Sequence, residues 1–283
     1  DNNGKDRTAV CCLSSLNLDT YDEWKDNTQF VEDVMRFLDN VMTDFINRAP
    51  DEFADAKYSA MRERSVGLGV MGLHSYFQQK NIPFGSVMSK VWNKKIFKNI
   101  QEKVDAASIT LADERGSCPD AEEYGIKERF SNKTAIAPTA SISIICGGSS
   151  PGIEPIAANS FTHKTLSGSF NVRNKYLKKI LEKYKKDNDE VWTSITTNQG
   201  SVSHLGFLTP EEKDTFKTAF EIDQRWIIEL GADRTPHISQ AQSINIFLPA
   251  DVHKKELHNI HFQAWKKGLK SLYYCRSKSI QRA

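Results

Sequence analysis

The residues best suited to chemistry in this chain lie between Thr134 and Pro155. An apolar, strand-like lead-in, Thr134 to Pro138, delivers a turn of small and hydroxylated residues, Thr139-Ala140-Ser141-Ile142-Ser143. Cys146-Gly147-Gly148-Ser149-Ser150-Pro151-Gly152 follows. In a turn of this composition backbone N–H groups and hydroxyls can converge on an anion, and a helix starting just beyond adds about half a positive charge from its dipole. The chemistry this points to is phosphate binding, although the same composition also makes ordinary loops.

Three other sets of residues invite a chemical reading. Cys11, Cys12, Cys118, Cys146 and Cys275 include no CxxC pair, which argues against a disulfide framework and a zinc site. A reactive thiol among them is better sought as a redox or catalytic group. His253, His258 and His261 stand at offsets of five and three, whereas a zinc helix wants histidines four apart with an acid, so they read as structural or surface residues and no metal is expected. Gly67-Leu68-Gly69-Val70-Met71-Gly72 matches GxGxxG, but a dinucleotide fingerprint needs a strand before it and an acidic residue about twenty further on. Met61-Arg62-Glu63-Arg64 precedes it instead, so close packing of small residues within a helix is the reading adopted.

The elements that must position these groups follow from periodicity. Thr8 to Leu18 reads as a largely buried strand, on which Cys11 and Cys12 face opposite ways. Apolar residues from Phe30 to Ile46 recur at helical spacing and predict a long amphipathic helix over Thr28 to Arg48. Ser65 to Lys80 reads as a second helix, and Met88 to Arg115 as a third, ended by Gly116. After the central stretch come a turn-rich passage around Thr165 to Phe170 and a charged helix, Lys175 to Lys186, whose lysines read as a solvated face. Helices at Asp189 to Thr197 and Pro210 to Leu230 precede a strand at Ser239 to Phe247, a helix at Asp251 to Leu269 and a last strand at Ser271 to Cys275. Four strands separated by helices make an α/β unit with right-handed crossovers, too few to close a barrel.

At 283 residues the chain suits one large domain or two small ones, and a net charge of +2 with well-mixed signs gives no pull toward nucleic acid or an anionic membrane. No apolar run approaches a membrane span, and residues Asp1 to Arg7 do not form a signal peptide, so a cytoplasmic location is expected. Because a buried strand begins almost at the first residue, the sequence reads as a piece of something longer.

At the central stretch the pattern becomes specific. Ala135-Ile136-Ala137-Pro138-Thr139-Ala140-Ser141-Ile142-Ser143 with Pro151-Gly152-Ile153-Glu154-Pro155 resembles the diphosphate-binding strand and loop of the class I ribonucleotide reductase large subunits. Cys11-Cys12-Leu13-Ser14-Ser15-Leu16-Asn17-Leu18 resembles the strand carrying one redox cysteine of that family. Gln240-Ala241-Gln242-Ser243-Ile244-Asn245 resembles a late barrel strand, and Leu272-Tyr273-Tyr274 the paired radical-relay tyrosines, all in the family's order.

The resemblance implies that residues 1–283 are the second half of a ten-stranded α/β barrel, completed by an N-terminal half that holds the thiyl-radical finger loop and the effector sites. It implies Cys11, rather than Cys12, as the redox thiol that forms a disulfide with a cysteine on another polypeptide. Pro138, Thr139, Ala140, Ser141, Ile142 and Ser143 become the cradle of a ribonucleoside diphosphate, with a larger share for the backbone because some relatives have an acid or a hydroxyl where Ala140 and Ile142 stand. Tyr273 and Tyr274 become the relay, and the helix before them part of the groove for the tail of the small subunit. No cofactor is implied within this chain. Re-reduction falls to a dithiol protein, thioredoxin or glutaredoxin, and the radical comes from the small subunit. A non-catalytic module that keeps the fold for nucleotide binding or assembly is the alternative. A glycyl-radical barrel is disfavoured by Tyr273-Tyr274 and by the lack of a glycyl-radical motif.

Overall fold

The structure, a computed structural model, describes residue 1 and residues 4–165 and 168–277. Its frame is a run of five parallel extended segments, adjacent in space in the order of the sequence. Strand β1, Cys12–Asn17, pairs in parallel with β2, Val66–Met71, from Cys12↔Val66 to Asn17↔Met71. Segment 132–136 lies along β2: Val66 N donates to Asn132 O at 3.0 Å and Ala135 N to Leu68 O at 3.2 Å. Segment 240–243 follows, with Gln240 N donating to Thr134 O at 3.0 Å and Ser243 N to Ile136 O at 3.0 Å. It continues into β5, Ile246–Leu248, which pairs in parallel with β6, Cys275–Ser277. Between these two pairings Ile244 N reaches back only two residues to Gln242 O, at 2.9 Å, a tight turn that bends the fourth segment.

The first, third and fourth segments overlap strands read from the sequence. The fifth, Cys275–Ser277, starts where the strand read at Ser271 to Cys275 ends, so Tyr273 and Tyr274 precede it, and β2 is a further correction. The stretch Ser65 to Lys80 is not one helix but β2, a corner at Gly72 with φ 83°, and helix Leu73–Gln79. All six residues of β2 are buried, so the run shows no alternation of apolar and polar positions and its period cannot distinguish strand from helix. Its glycines are there for close approach: a Cβ on Gly69 would stand 2.2 Å from the Ala135 carbonyl oxygen, and one on Gly67 2.5 Å from Leu13 Cδ2.

Helices cover this frame on one side. Helix Thr28–Arg48 starts where Asn27 accepts from Phe30 N, and it lays Val31, Met35, Leu38 and Met42 against Leu16, Val66 and Leu68. Helix Val87–Arg115, capped by Ser86, adds Ile96, Phe97, Ile100, Val104 and Leu111 to the same core. Truncating one such fully buried side chain to alanine costs about 2–5 kcal/mol. A second, smaller core gathers Tyr176, Leu177, Leu181, Trp192, Ile195 and Phe216.

Three further differences from the sequence reading lie in the C-terminal half. The turn-rich passage is a hairpin of β3, Ser160–Thr165, and β4, Gly168–Arg173; Leu166 and Ser167 lie outside the described residues. The single helix from Pro210 to Leu230 is two, Pro210–Thr215 and Gln224–Arg234. The helix before the last strand is Lys254–Lys266, shorter at both ends than read from the sequence. Gln281, Arg282 and Ala283 lie outside the described residues.

Candidate active site

The central loop leaves the C-terminal end of the third segment and is pinned from several sides. Thr139 takes φ 53°, and its Oγ1 accepts from Gly152 N at 2.7 Å, closing the loop onto its own return limb. Ser143 N donates to Thr139 O at 3.0 Å, opening the short helix Ile142–Ile145. Among the described residues, the N–H groups of Ala140, Ser141 and Ile142 have no acceptor, which leaves three adjacent donors at the turn. Thr139 and Ser143 are buried, whereas Ala140, Ser141 and Ile142 are exposed.

The return limb docks on the corner after β2. Gly72 N donates to Ser150 O at 2.7 Å, and Ser75 and Ser150 exchange hydrogen bonds between N–H and hydroxyl at 3.1 and 2.8 Å. Asn17, the last residue of β1, donates from Nδ2 to Cys146 O at 3.2 Å and accepts from Ser149 Oγ at 3.1 Å. Asp19 accepts from Ser149 Oγ at 2.8 Å and from Lys175 Nζ at 2.5 Å, while Lys175 also donates to Gly147 O at 3.0 Å. The lysine thus joins the back of the loop to the first turn of helix Lys175–Lys183. Read from sequence as part of a solvated face, it is held in place by a long-range ion pair.

Between the loop, the hairpin and the end of β5 lies a cavity of about 380 Å³. Ala140 and Ser143 line it from the loop, Lys175 and Arg173 from the hairpin side, and Glu154 and Arg276 also belong to its lining. Burial pushes the Glu154 carboxyl upward, against the hydrogen bond from Asn245 and the charge of Arg276. Behind the wall His74 is fully buried and accepts from Ile156 N at 3.0 Å, and burial holds its ring neutral by depressing its pKa to about 3. A cavity lined by three cationic side chains and by Ala140, the first of the three adjacent free N–H donors, suits an anionic ligand with an apolar part.

The other residues singled out from sequence sit at separate stations. Cys11, half-buried just before β1, receives the Gln240 side-chain N–H at 3.3 Å. Cys12 faces the other way and packs on the main core, and burial pushes its thiol up. Tyr273 and Tyr274 are exposed, with ring centroids 4.1 Å apart at 52°. Hydrogen bonding to Tyr274 raises the Tyr273 phenol. Asn245, 1 % exposed, accepts from Tyr274 N at 3.1 Å and donates to Glu154, so it ties the tyrosine pair to the cavity wall. The fourth segment therefore touches the cysteine station through Gln240 and the tyrosine station through Asn245. Sequence reasoning missed Asp19 and the role of Lys175. Asn17, Glu154, Gln240 and Asn245 stood inside quoted motifs but had no stated role.

The three histidines have local roles. His253 Nδ1 accepts from Lys255 N, His258 stacks on Phe262, and His261 Nδ1 lies 2.8 Å from Leu257 O. No helix among the described residues is long and apolar enough to cross a membrane.

An open run of five parallel segments with a loop at the strand ends is an α/β arrangement of the kind that carries active sites at strand ends, and comparison with known proteins specifies which. The family model described as "Ribonucleotide reductase, barrel domain" matches residues 2–128 and 120–275. The chain belongs to this ribonucleotide reductase family. It is 52% identical over 278 residues to the ribonucleoside-diphosphate reductase large subunit of Invertebrate iridescent virus 6, covering 97% of this chain and 29% of that protein. The large subunit of Invertebrate iridescent virus 3 is 47% identical, with 97% of this chain and 44% of that protein covered. The class Id ribonucleotide reductase alpha subunit of Actinobacillus ureae superposes with a TM-score of 0.89 at 41% identity, over 97% of this chain and 51% of that one. The chain thus spans less than half the length of these curated viral relatives.

Proposed function

We propose that this chain is the C-terminal part of the catalytic barrel of a class I ribonucleoside-diphosphate reductase large subunit. Its work is to hold the substrate diphosphate, supply one redox thiol and pass the radical inward. The observation that carries this reading is the loop beside the cavity, where the free N–H groups of Ala140, Ser141 and Ile142 stand next to a space that Lys175, Arg173 and Arg276 help to line. Pro138 to Ser143 cradle the diphosphate chiefly through backbone N–H groups, since the Thr139 oxygen already accepts from Gly152. Holding the diphosphate fixes the ribose relative to the reacting groups, which is where rate is gained.

Cys11 is the thiol that becomes half of a disulfide during reduction and is restored by thioredoxin or glutaredoxin. Tyr273 and Tyr274, whose rings are in contact, relay the radical from the small subunit. The radical cysteine, the partner cysteine and the effector sites belong to the rest of the large subunit, on the same polypeptide or another. In the described residues β1 has a neighbour on one side only, and Leu13 is 54% exposed; both fit a large interface with that half, above roughly 2,000 Å². The soluble, cytoplasmic setting of deoxynucleotide synthesis goes with this assignment.

The test is reconstitution. The chain combined with the remaining large-subunit half and a small subunit should reduce CDP. Cys11→Ser should then abolish multiple turnover while Cys12→Ser stays mild, and Tyr274→Phe should stop turnover with nucleotide binding intact. Diphosphate binding without turnover in the fully assembled complex would instead mean a non-catalytic module.

A further inference from the structure

Cys11 and Cys12 are neighbours in sequence, and what separates them chemically is a side chain 229 residues away from the first. The Gln240 carboxamide nitrogen lies 3.0 Å from the Val66 carbonyl oxygen and 3.3 Å from Cys11 Sγ. A backbone carbonyl only accepts, so Val66 fixes which end of the amide points this way. With one N–H on Val66, the second is directed at the sulfur. Gly67 leaves room for this contact, since a Cβ there would come within 3.2 Å of Cys11 Sγ. Among the described residues Cys12 has no such donor, and it packs against the apolar core.

We propose that Gln240 is a positioning residue for Cys11, whose N–H directed at sulfur makes Cys11 the reactive thiol of the adjacent pair. This rests on the reading of Cys11 as the redox cysteine and adds the group that tunes it. When a dithiol opens the disulfide formed by Cys11, the attacking thiolate bonds to the partner sulfur, the S–S bond breaks, and the electron pair departs on Cys11. The Gln240 N–H stands where that negative charge appears, and a hydrogen bond to a charged group is among the stronger kinds.

The test needs no turnover. Alkylation of the intact chain by iodoacetamide near neutral pH is followed residue by residue by mass spectrometry, with the exposed Cys146 and Cys275 as internal references. Gln240→Met, which keeps length but removes the donor, should slow Cys11 about tenfold relative to the references. Gln240→Glu, which turns an acceptor toward the sulfur, should slow it further. A residue that merely held the Val66 carbonyl would, when replaced, loosen the niche and speed alkylation, so an unchanged or faster Cys11 in either variant overturns the proposal. Reconstituted Cys11→Ser enzyme separates the two levels. Normal turnover there removes the redox reading and leaves the Gln240 contact standing, whereas a dead enzyme with unchanged Gln240 kinetics does the reverse.

Discussion

Two buried aspartates show how differently one fold treats charge. Asp39, on helix Thr28–Arg48, is 0% exposed and accepts from Arg64 Nε at 2.8 Å, Arg115 at 2.7 Å and Arg129 Nε at 3.0 Å. The three arginines come from before β2, from the end of helix Val87–Arg115 and from ahead of the third segment, so the cluster fastens the helical layer to the starts of the strands. Burial alone would raise the Asp39 carboxyl, but the hydrogen bond from Arg129 and the neighbouring arginine charges hold it below the usual carboxylate range. Asp19, at the opposite end of β1, has one cation, Lys175, and that side chain is 42% exposed beside the cavity. Among the described residues one of its carboxylate oxygens, Oδ1, is buried with no hydrogen-bond partner. The first site is closed by its own partners; the second keeps a cation next to open space. Saturated charge belongs to architecture, and the incompletely satisfied cluster lies where a ligand is proposed to bind.

That contrast can be broken in a graded way. Asp39→Ala leaves three arginines uncompensated in a mostly buried cluster and should lower stability by about 3–5 kcal/mol, read by urea unfolding. Acid should act next. The depressed Asp39 contributes stability that is fully present above the unfolded carboxyl value of about 4 and is lost as pH falls through its lower folded value. Unfolding midpoints taken between about pH 5 and pH 2 should fall more steeply in the wild type than in Asp39→Asn, which keeps only the share of other depressed carboxylates such as Asp22 and Asp120.

Lys175→Met should change global stability by less than about 1 kcal/mol, because the pair is partly exposed, yet weaken nucleoside diphosphate binding about tenfold by calorimetry. Equal loss of stability and of binding would erase the distinction between the two aspartates. The smallest effect concerns salt. Raising ionic strength should weaken diphosphate binding while leaving the Asp39 contribution nearly constant, since a buried cluster is screened little.

How much of this was legible depended on whether a residue's role was local. Helix Thr28–Arg48 could be read to the residue because its apolar face meets one core and its other face meets water. Strand β2 could not, because both faces are covered and Gly67 and Gly69 answer to backbone from other segments. The loop could be placed by composition and resemblance, whereas its fastening could not. Lys175 looks like any lysine of a Lys-rich helix, and its partner Asp19 lies 156 residues earlier. Gln240 belonged to a recognised motif, yet its contact with Cys11 is set by how the second and fourth segments converge. Residues whose meaning is a long-range pair carry no periodic signal.

The tight turn at Ile244 gives the fourth segment a mechanical character. Because its N–H bonds back to Gln242, the ladder that joins 240–243 to the third segment stops there, and the ladder to β6 begins on the far side. Strain does not travel along a continuous zipper between them. The tyrosine pair, joined to this segment through Ile244 O and Asn245, and Cys11, joined to it through Gln240, therefore hang on separate stretches of hydrogen bonding.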